Sequence, residues 1–467
     1  MNKTWIHFIG IAGVATGQMA VEYKNNGYLV TGSDKGFFPP ISTHLKKNKI
    51  TIETGFKEKH LNKDFYKIKY DGDWFKVKKA HPDIVIAQGT KGHKNAEYIH
   101  AGNKEIPVKY YPDIITEKIL KDESIVIAGT YGKTTVTAML AWIFKYSNVD
   151  ISYMFGGLGL NFENGVKFKN KDTKYSIIEG DEYYVGYDKK ISKFFYYNPK
   201  ILVLTSIKWD HTDIFKTKQD YINNFRELVK QVPKDGLIIY NKIDNKVNEI
   251  VQDSAKCKTV GYNYKKEIGN KYDYLNSKFK IIGEFNKENA VAAGTCAEKL
   301  GIDEESIKKA LISFKGIKRR LEIRYRNKNL MIIDDFGASP PKARSSILAV
   351  KKVFPDYKLH VVFEPNLGSR TYKAIEEYDK TFHKIERLYL PRFTKVSGKY
   401  LENYDLEKYL KKKNIKAQAI SDDEELIEIV SGNIYEHKKS IILFLGSHGF
   451  RGMIEQMTEL LEDEEIS

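Results

Sequence analysis

The residues with the plainest chemical purpose are Gly129-Thr130-Tyr-Gly132-Lys133-Thr134-Thr135, set between the apolar run Ser124-Ile-Val-Ile127 and the stretch Val136-Thr-Ala-Met-Leu-Ala-Trp142. Glycines at such a strand-to-helix turn let backbone N–H groups and the positive end of the helix face phosphate oxygens. There Lys133 reaches the β/γ-phosphates of a nucleotide and the Thr134 hydroxyl reaches Mg²⁺. A merely structural turn has little use for Gly-Lys-Thr-Thr. Carboxylates suited to the same cation follow two later apolar runs: Ser176-Ile-Ile-Glu179-Gly-Asp181-Glu182, and Ile201-Leu-Val-Leu204 leading to Asp210-His211. Mg²⁺ takes oxygen ligands and keeps several waters, so one or two protein carboxylates suffice.

A second glycine-rich turn, Gly10-Ile-Ala-Gly13-Val-Ala-Thr-Gly17, directly follows the apolar run Ile6-His-Phe-Ile9. It departs from G-x-G-x-x-G, yet a tight turn still places pyrophosphate on backbone amides, and Ser33-Asp34 at the end of the next run offers a carboxylate to ribose hydroxyls. A dinucleotide oxidoreductase would need this turn alone. The Lys-bearing loop argues for a nucleotide triphosphate as well.

Positioning these groups requires a rigid frame, and the chain supplies short apolar runs alternating with longer amphipathic stretches. Besides the runs already named, Tyr28–Val30, Asp83–Ile86, Gly236–Tyr240, Leu330–Ile333, Leu359–Phe363 and Ser440–Phe444 read as strands. The pattern predicts an α/β protein with parallel sheets in three clusters, divided at 1–118, 119–322 and 323–467. Lys57–Lys79 is Lys- and Tyr-rich without a period and reads as a surface insertion, whereas Glu455–Glu465 reads as an amphipathic helix. No apolar run reaches the roughly 18 residues that span a bilayer, and the spaced glycines and His7 speak against a secretory signal, so a cytoplasmic protein is expected. Cys257 and Cys296 lack zinc-ligand spacing and read as plain thiols. The formal charge of +16 suggests anionic partners. Dispersed lysines without an RNA-binding motif argue against nucleic acid.

The residues resemble a known family over nearly the whole chain, the Mur ligases of peptidoglycan metabolism. The resemblance is carried by the first glycine turn with Gly32-Ser33-Asp34, by Gly129–Thr135, Glu179-x-Asp-Glu182 and Asp210-His211, and by Gly283-Glu-Phe-Asn286-Lys-Glu-Asn289. Gly316-Ile-Lys-Arg319-Arg320-Leu-Glu322 and Asp334-Asp335-Phe-Gly-Ala-Ser-Pro340 complete it. It implies a Rossmann-like N-terminal domain for a UDP-sugar at Gly10, Gly13, Gly17, Ser33 and Asp34, a central P-loop ATPase-like domain, and a Rossmann-like C-terminal domain. It further implies ATP and Mg²⁺, with Lys133, Glu179, His211 and Arg320 in catalysis, Thr134, Glu179 and His211 at the metal, Asn286 and Asn289 near adenine, Arg320 near the phosphates and Asp335 near the ribose. A monomer or weak homodimer without membrane attachment is expected.

The glycine turn is similar to that of members using UDP-N-acetylmuramate itself. Phe38-Pro-Pro-Ile-Ser-Thr43, Gly156-Gly-Leu-Gly-Leu-Asn161-Phe162 and Asp181–Phe194 are similar to members that add the tripeptide L-Ala-γ-D-Glu-meso-diaminopimelate, while Phe363–Thr371 looks closer to members that add L-alanine. Arg370, Arg392 and Arg451 are the candidate cations for the carboxylates of the amine substrate. A non-catalytic UDP-sugar sensor is the alternative from another class. Tyr131, Ser206, Lys208, Ala338 and Ser339 stand where this branch usually carries His, Asn, Glu and His. No lysine in Tyr221–Phe225 matches the carbamylated lysine of other Mur ligases, an absence shared with the muramate-using branch.

Overall fold

The computed structural model describes residues 3–69, 77–88, 95–186, 190–210, 214–395, 398–434, 439–447 and 449–466. Three sheets carry the chain. The first has strands β1 (Trp5–Ile9), β2 (Leu29–Asp34), β3 (Thr51–Thr54), β4 (Ile84–Ala87) and β5 (Val108–Tyr110), ordered β3-β2-β1-β4-β5 and parallel throughout. The second has β6 (Ser124–Ala128), β7 (Ile151–Met154), β8 (Val166–Lys167), β9 (Tyr175–Glu179), β10 (Ile201–Leu204), β11 (Leu237–Asn241) and β12 (Lys258–Tyr262), ordered β12-β11-β10-β6-β9-β7-β8. Only its β7–β8 pair is antiparallel. The third has β13 (Glu322–Arg326), β14 (Leu330–Asp335), β15 (Lys358–Glu364), β16 (Arg387–Pro391), β17 (Ala417–Ile420) and β18 (Ser440–Gly446), ordered β13-β14-β18-β15-β16-β17, with β13 alone antiparallel.

The central strands β6, β10 and β18 are buried along their whole length, which is why their sequences are unbroken Val/Ile/Leu runs and not alternating ones. The chain is α/β, as the alternation predicts, and every run read as a strand is one. The edge strands β3, β5, β8, β12, β13 and β17 carry little apolar sequence, having a single buried face or none, and several are only two to four residues long.

The first two sheets belong to one compact unit, residues 1–37, 41–280 and 285–315; the third belongs to another, residues 38–40, 281–284 and 316–467. Within the first unit Gln18, on the helix Val14–Asn25, accepts from Gly165 N at 2.6 Å, and Asn164 donates to Gln18 O at 2.9 Å. Within the second, Met453, Ile454, Met457 and Leu461 of the helix Met453–Ile466 pack on the third sheet, in line with the amphipathic reading of this end. No helix among the described residues is long and apolar enough to cross a membrane. Both cysteines are free thiols.

The expected surface insertion at 57–79 is the main correction. Its described part forms a 3₁₀ turn, Glu58–Leu61, and a helix, Lys63–Lys69, that bury His60, Leu61 and Tyr66 while leaving lysines at the surface. The buried residues are too few and too polar to show a period, which is why the sequence hides them.

Candidate active site

In an open α/β sheet ligands gather at the carboxyl ends of the strands, where the strand order reverses. In the second sheet that place is the end of β6, flanked by β9 and β10. The register aligns Ile127 with Glu179 and Ala128 with Leu204, so the loop after β6 emerges beside the acidic segment after β9. Gly129 (φ +136°) and Gly132 (φ +87°) adopt backbone conformations that L side chains avoid, and Gly132 caps the helix Lys133–Tyr146. A Cβ at Gly132 would collide with Asn289 Oδ1, so the glycine also permits close approach of that asparagine.

Lys133 Nζ donates to Gly129 O (2.6 Å) and pairs with the Glu182 carboxylate at 3.0 Å. Burial alone would lower the lysine's pKa, but Glu182 and Glu179 outweigh it and raise it, so the ammonium stays charged. Asp181 is paired with Lys193 at 2.6 Å, and although burial opposes ionisation this lysine holds its carboxyl below the ordinary value. Glu179 is held differently, by two neutral donors: Thr134 Oγ1 (2.8 Å) and Gly156 N (2.6 Å). Burial raises its carboxyl above the usual range. Thr134 and Glu179 thus present a hydroxyl and a carboxylate oxygen side by side, a hard oxygen donor pair of the kind Mg²⁺ takes. His211, expected third at this place, lies outside the described residues.

The loop is fastened from the β10 side. Thr130 N donates to Ser206 O (2.8 Å) and Tyr131 N to Ser206 Oγ (3.1 Å), while Thr205 Oγ1 donates to Tyr131 O (2.6 Å). Thr130 Oγ1 bonds both Lys208 N and Lys208 O, and the Tyr221 hydroxyl lies 2.9 Å away. Ser206 and Lys208 therefore hold this loop largely through groups that tolerate a change of side chain. Tyr131 is exposed at the mouth of the loop. Asn286 and Asn289 are both buried on the helix Glu284–Lys299 and bonded to each other at 3.1 Å.

In the first sheet the order reverses between β1 and β4, and the glycine turn after β1 lies there. Gly10 (φ +85°) and Ile11 donate their N–H groups to Ser33 O at 2.9 and 3.1 Å, and Ala12 N donates to Asp34 Oδ2 at 2.9 Å. Burial raises the Asp34 carboxyl above its ordinary value. A Cβ at Gly17 would strike Ile11 O and Ile41 at 2.8 Å, so this glycine serves close packing of the turn. The Ser33 side chain, expected at the sugar, instead points inward to Glu97.

The remaining candidates belong to the second unit. The two arginines of Gly316–Glu322 divide: Arg319 (φ +59°) is buried against Asp334 (3.2 Å) and Gly446 O (2.7 Å), while Arg320 is exposed with its guanidinium 5.3 Å from the Phe336 ring centre. Asp335 accepts from Leu321 N (3.0 Å) and Ser346 Oγ (2.7 Å). Arg392 and Arg451 converge on Asp423, at 2.9 and 2.7 Å, and Arg451 also reaches Glu364 at 3.5 Å. Arg370 stands apart from this group. It is buried and spends its guanidinium on Leu401 O (3.1 Å), Thr394 O (2.7 Å) and Glu402 (3.1 Å), over the Phe393 ring. The structure thus gives Arg370 a loop-fastening role in place of the expected substrate contact.

Two family models match the chain: the Mur ligase family catalytic domain over residues 5–121 and the Mur ligase middle domain over residues 127–297. A UDP-N-acetylmuramate--L-alanyl-gamma-D-glutamyl-meso-2,6-diaminoheptandioate ligase of Haemophilus influenzae is 29% identical over 77% of this chain and 79% of its own length. A UDP-N-acetylmuramate--L-alanine ligase of Caldicellulosiruptor saccharolyticus is 28% identical over 99% of each chain. The crystal structure of a murein peptide ligase from Psychrobacter arcticus superposes with a TM-score of 0.69 at 22% identity, covering 98% of both chains.

Proposed function

The chain belongs to the Mur ligase family, ATP-dependent amide ligases that release ADP, and from that premise we propose that it joins UDP-N-acetylmuramate to L-Ala-γ-D-Glu-meso-diaminopimelate. The observation that carries the chemistry is the Lys133–Glu182 pair set beside Glu179, Thr134 and the glycine loop.

A carboxylate resists attack by an amine because oxide is a hopeless leaving group, so it must first be activated. A muramoyl carboxylate oxygen attacks the γ-phosphorus of ATP, ADP departs, and an acyl phosphate results. The amine nitrogen then attacks the acyl carbon, inorganic phosphate leaves, and the nitrogen loses a proton. The first step brings two anions together and needs fixed positive charge. Lys133, kept protonated by its carboxylate neighbours, supplies it, along with the amides of Gly129–Thr135. Mg²⁺ held by Thr134, Glu179 and His211 would add charge neutralisation at the transferring phosphoryl group. Gly10, Gly13 and Asp34 hold the UDP moiety; Asn286 and Asn289 hold the adenine.

The tripeptide is favoured by the segments Phe38–Thr43, Gly156–Phe162 and Asp181–Phe194. In the last of these, Lys193 and Ser192 tie back to Asp181 and Glu182 O at 2.6 and 2.7 Å. L-Alanine is the second reading, favoured by Phe363–Thr371 and by relatives such as the Caldicellulosiruptor enzyme. Phosphate release from ATP with UDP-N-acetylmuramate plus either amine separates the two. Turnover with the tripeptide is expected, and turnover with free alanine alone overturns that choice.

A further inference from the structure

Behind the N-terminal glycine turn lies a buried polar network that the chemistry above does not use. Glu97, on the helix Ala96–Asn103, is fully buried, and its carboxylate accepts from Ser33 Oγ, His60 Nδ1 (2.7 Å) and Lys57 N (3.2 Å). His7 Nε2 stands 3.5 Å from the same carboxylate. At the far end Trp5 Nε1 donates to Thr31 Oγ1 at 2.8 Å, and Thr31 Oγ1 and His7 Nδ1 share a hydrogen bond at 2.8 Å. An unpaired carboxylate at this depth is strongly destabilising. Burial raises the Glu97 pKa, but the bonds from His60 and His7 more than offset it and hold it at about 2, so the group is an anion.

Part of the network comes from 57–69, in the segment whose sequence shows no period. It contributes Lys57 N, His60 and Tyr66, whose hydroxyl donates to His60 O (3.1 Å) and whose ring meets Trp5 edge-on at 5.9 Å. Ser33 links the network to the glycine turn. Ser33 sends its hydroxyl to Glu97 while its carbonyl receives the N–H groups of Gly10 and Ile11, and the next residue, Asp34, receives that of Ala12.

We propose that Glu97 is a positioning residue for the sugar nucleotide: through Ser33 it sets the conformation of the Gly10–Gly13 turn, with segment 57–69 as its brace. The proposal rests on the reading that this turn binds UDP-N-acetylmuramate. Positioning of this kind appears in substrate affinity, whereas a purely structural role appears only in stability.

The test is the Kd of UDP-N-acetylmuramate, by titration calorimetry, for the full-length chain and for Ser33→Ala, Glu97→Gln and the double variant. Each single change is expected to weaken binding about tenfold or more. The double variant should be little worse than either, because both break the same link. For Glu97→Gln, kcat and the KM for ATP should stay within about twofold of the parent. Unchanged Kd with a lowered Tm overturns the proposal, as do fully additive single effects, which would mean that Ser33 touches the ligand itself. Should Glu97→Gln fail to fold, His60→Gln reads the same link from the brace side, and unaltered affinity there is equally fatal. A parent chain that turns over ATP but shows no affinity for UDP-N-acetylmuramate removes the underlying reading, and the brace with it.

Discussion

Lys133 and Arg370 are both buried cations, yet their surroundings assign them opposite work. Lys133 stands at the carboxyl end of β6 among a glycine loop and three carboxylates, where a transferring phosphoryl group needs charge. Lys133→Ala is expected to lower turnover by roughly 10³-fold or more, since fixed charge at the reacting phosphate is the largest single contribution to such chemistry; ADP release measured in single-turnover experiments checks it. Arg370 uses its guanidinium to fasten Thr394, Leu401 and Glu402, so Arg370→Ala should destabilise the fold by about 2–4 kcal/mol through loss of buried charge-assisted bonds. Denaturant unfolding measures the loss, and an Arg370→Ala chain of parental stability with a raised KM for the amine restores the substrate-contact reading. Lys133 was legible in sequence because the glycine loop that frames it is its neighbour along a strand, a turn and a helix, even though its partner Glu182 lies 49 residues further on. Arg370 was not, because its partners lie 24 to 32 residues further on and nothing local marks them.

At the scale of elements, the strands legible in sequence are among those buried on both faces. Edge strands such as β3, β5 and β13 went unread because the apolar run that marks a strand is a signature of burial and not of hydrogen bonding. The helix Glu284–Lys299 shows a further limit. Its Asn286 and Asn289 follow from a motif, but the state of Glu288 between them depends on tertiary neighbours. Burial and then Asp244 push the Glu288 carboxyl up to about 7, while Asn241 Nδ2 donates to it. The folded chain therefore binds a proton that the unfolded chain, with an ordinary carboxyl, releases near pH 4.5. Stability contributed in the protonated state is present below that value and is lost as pH rises through about 7. Glu288→Gln should flatten the fall in Tm between pH 5 and 8, a change on the order of 1–2 kcal/mol after allowance for partial exposure. Thermal melts across that range test it, and an unchanged slope rules it out.

At the scale of the whole molecule, the chain passes for the last time from the first compact unit to the second at Lys315 and Gly316. Asn161 holds the last residues of the first unit: its Nδ2 donates to Ser313 O at 3.1 Å and its Oδ1 accepts from Lys315 N at 2.7 Å. The same loop begins at Gly156, whose N–H holds Glu179. Asn161→Ala should leave Ser313–Lys315 fraying, and limited trypsin digestion should cut after Lys315 or Lys318 several-fold faster, roughly as loss of two local bonds allows; equal digestion rates contradict it. The positive charge of the chain reads at this scale as a field that would gather the anionic substrates proposed above. The sheet margins carry a different consequence. Open parallel sheets with apolar centres offer unpaired strand edges that can seed intermolecular β-pairing. Here β8 spans two residues, β5 three, and β13 reads Glu322-Ile-Arg324-Tyr-Arg326, so these three margins are too short or too charged to recruit a second chain. Intermolecular pairing at these three margins should therefore be disfavoured, with Arg324 and Arg326 guarding β13.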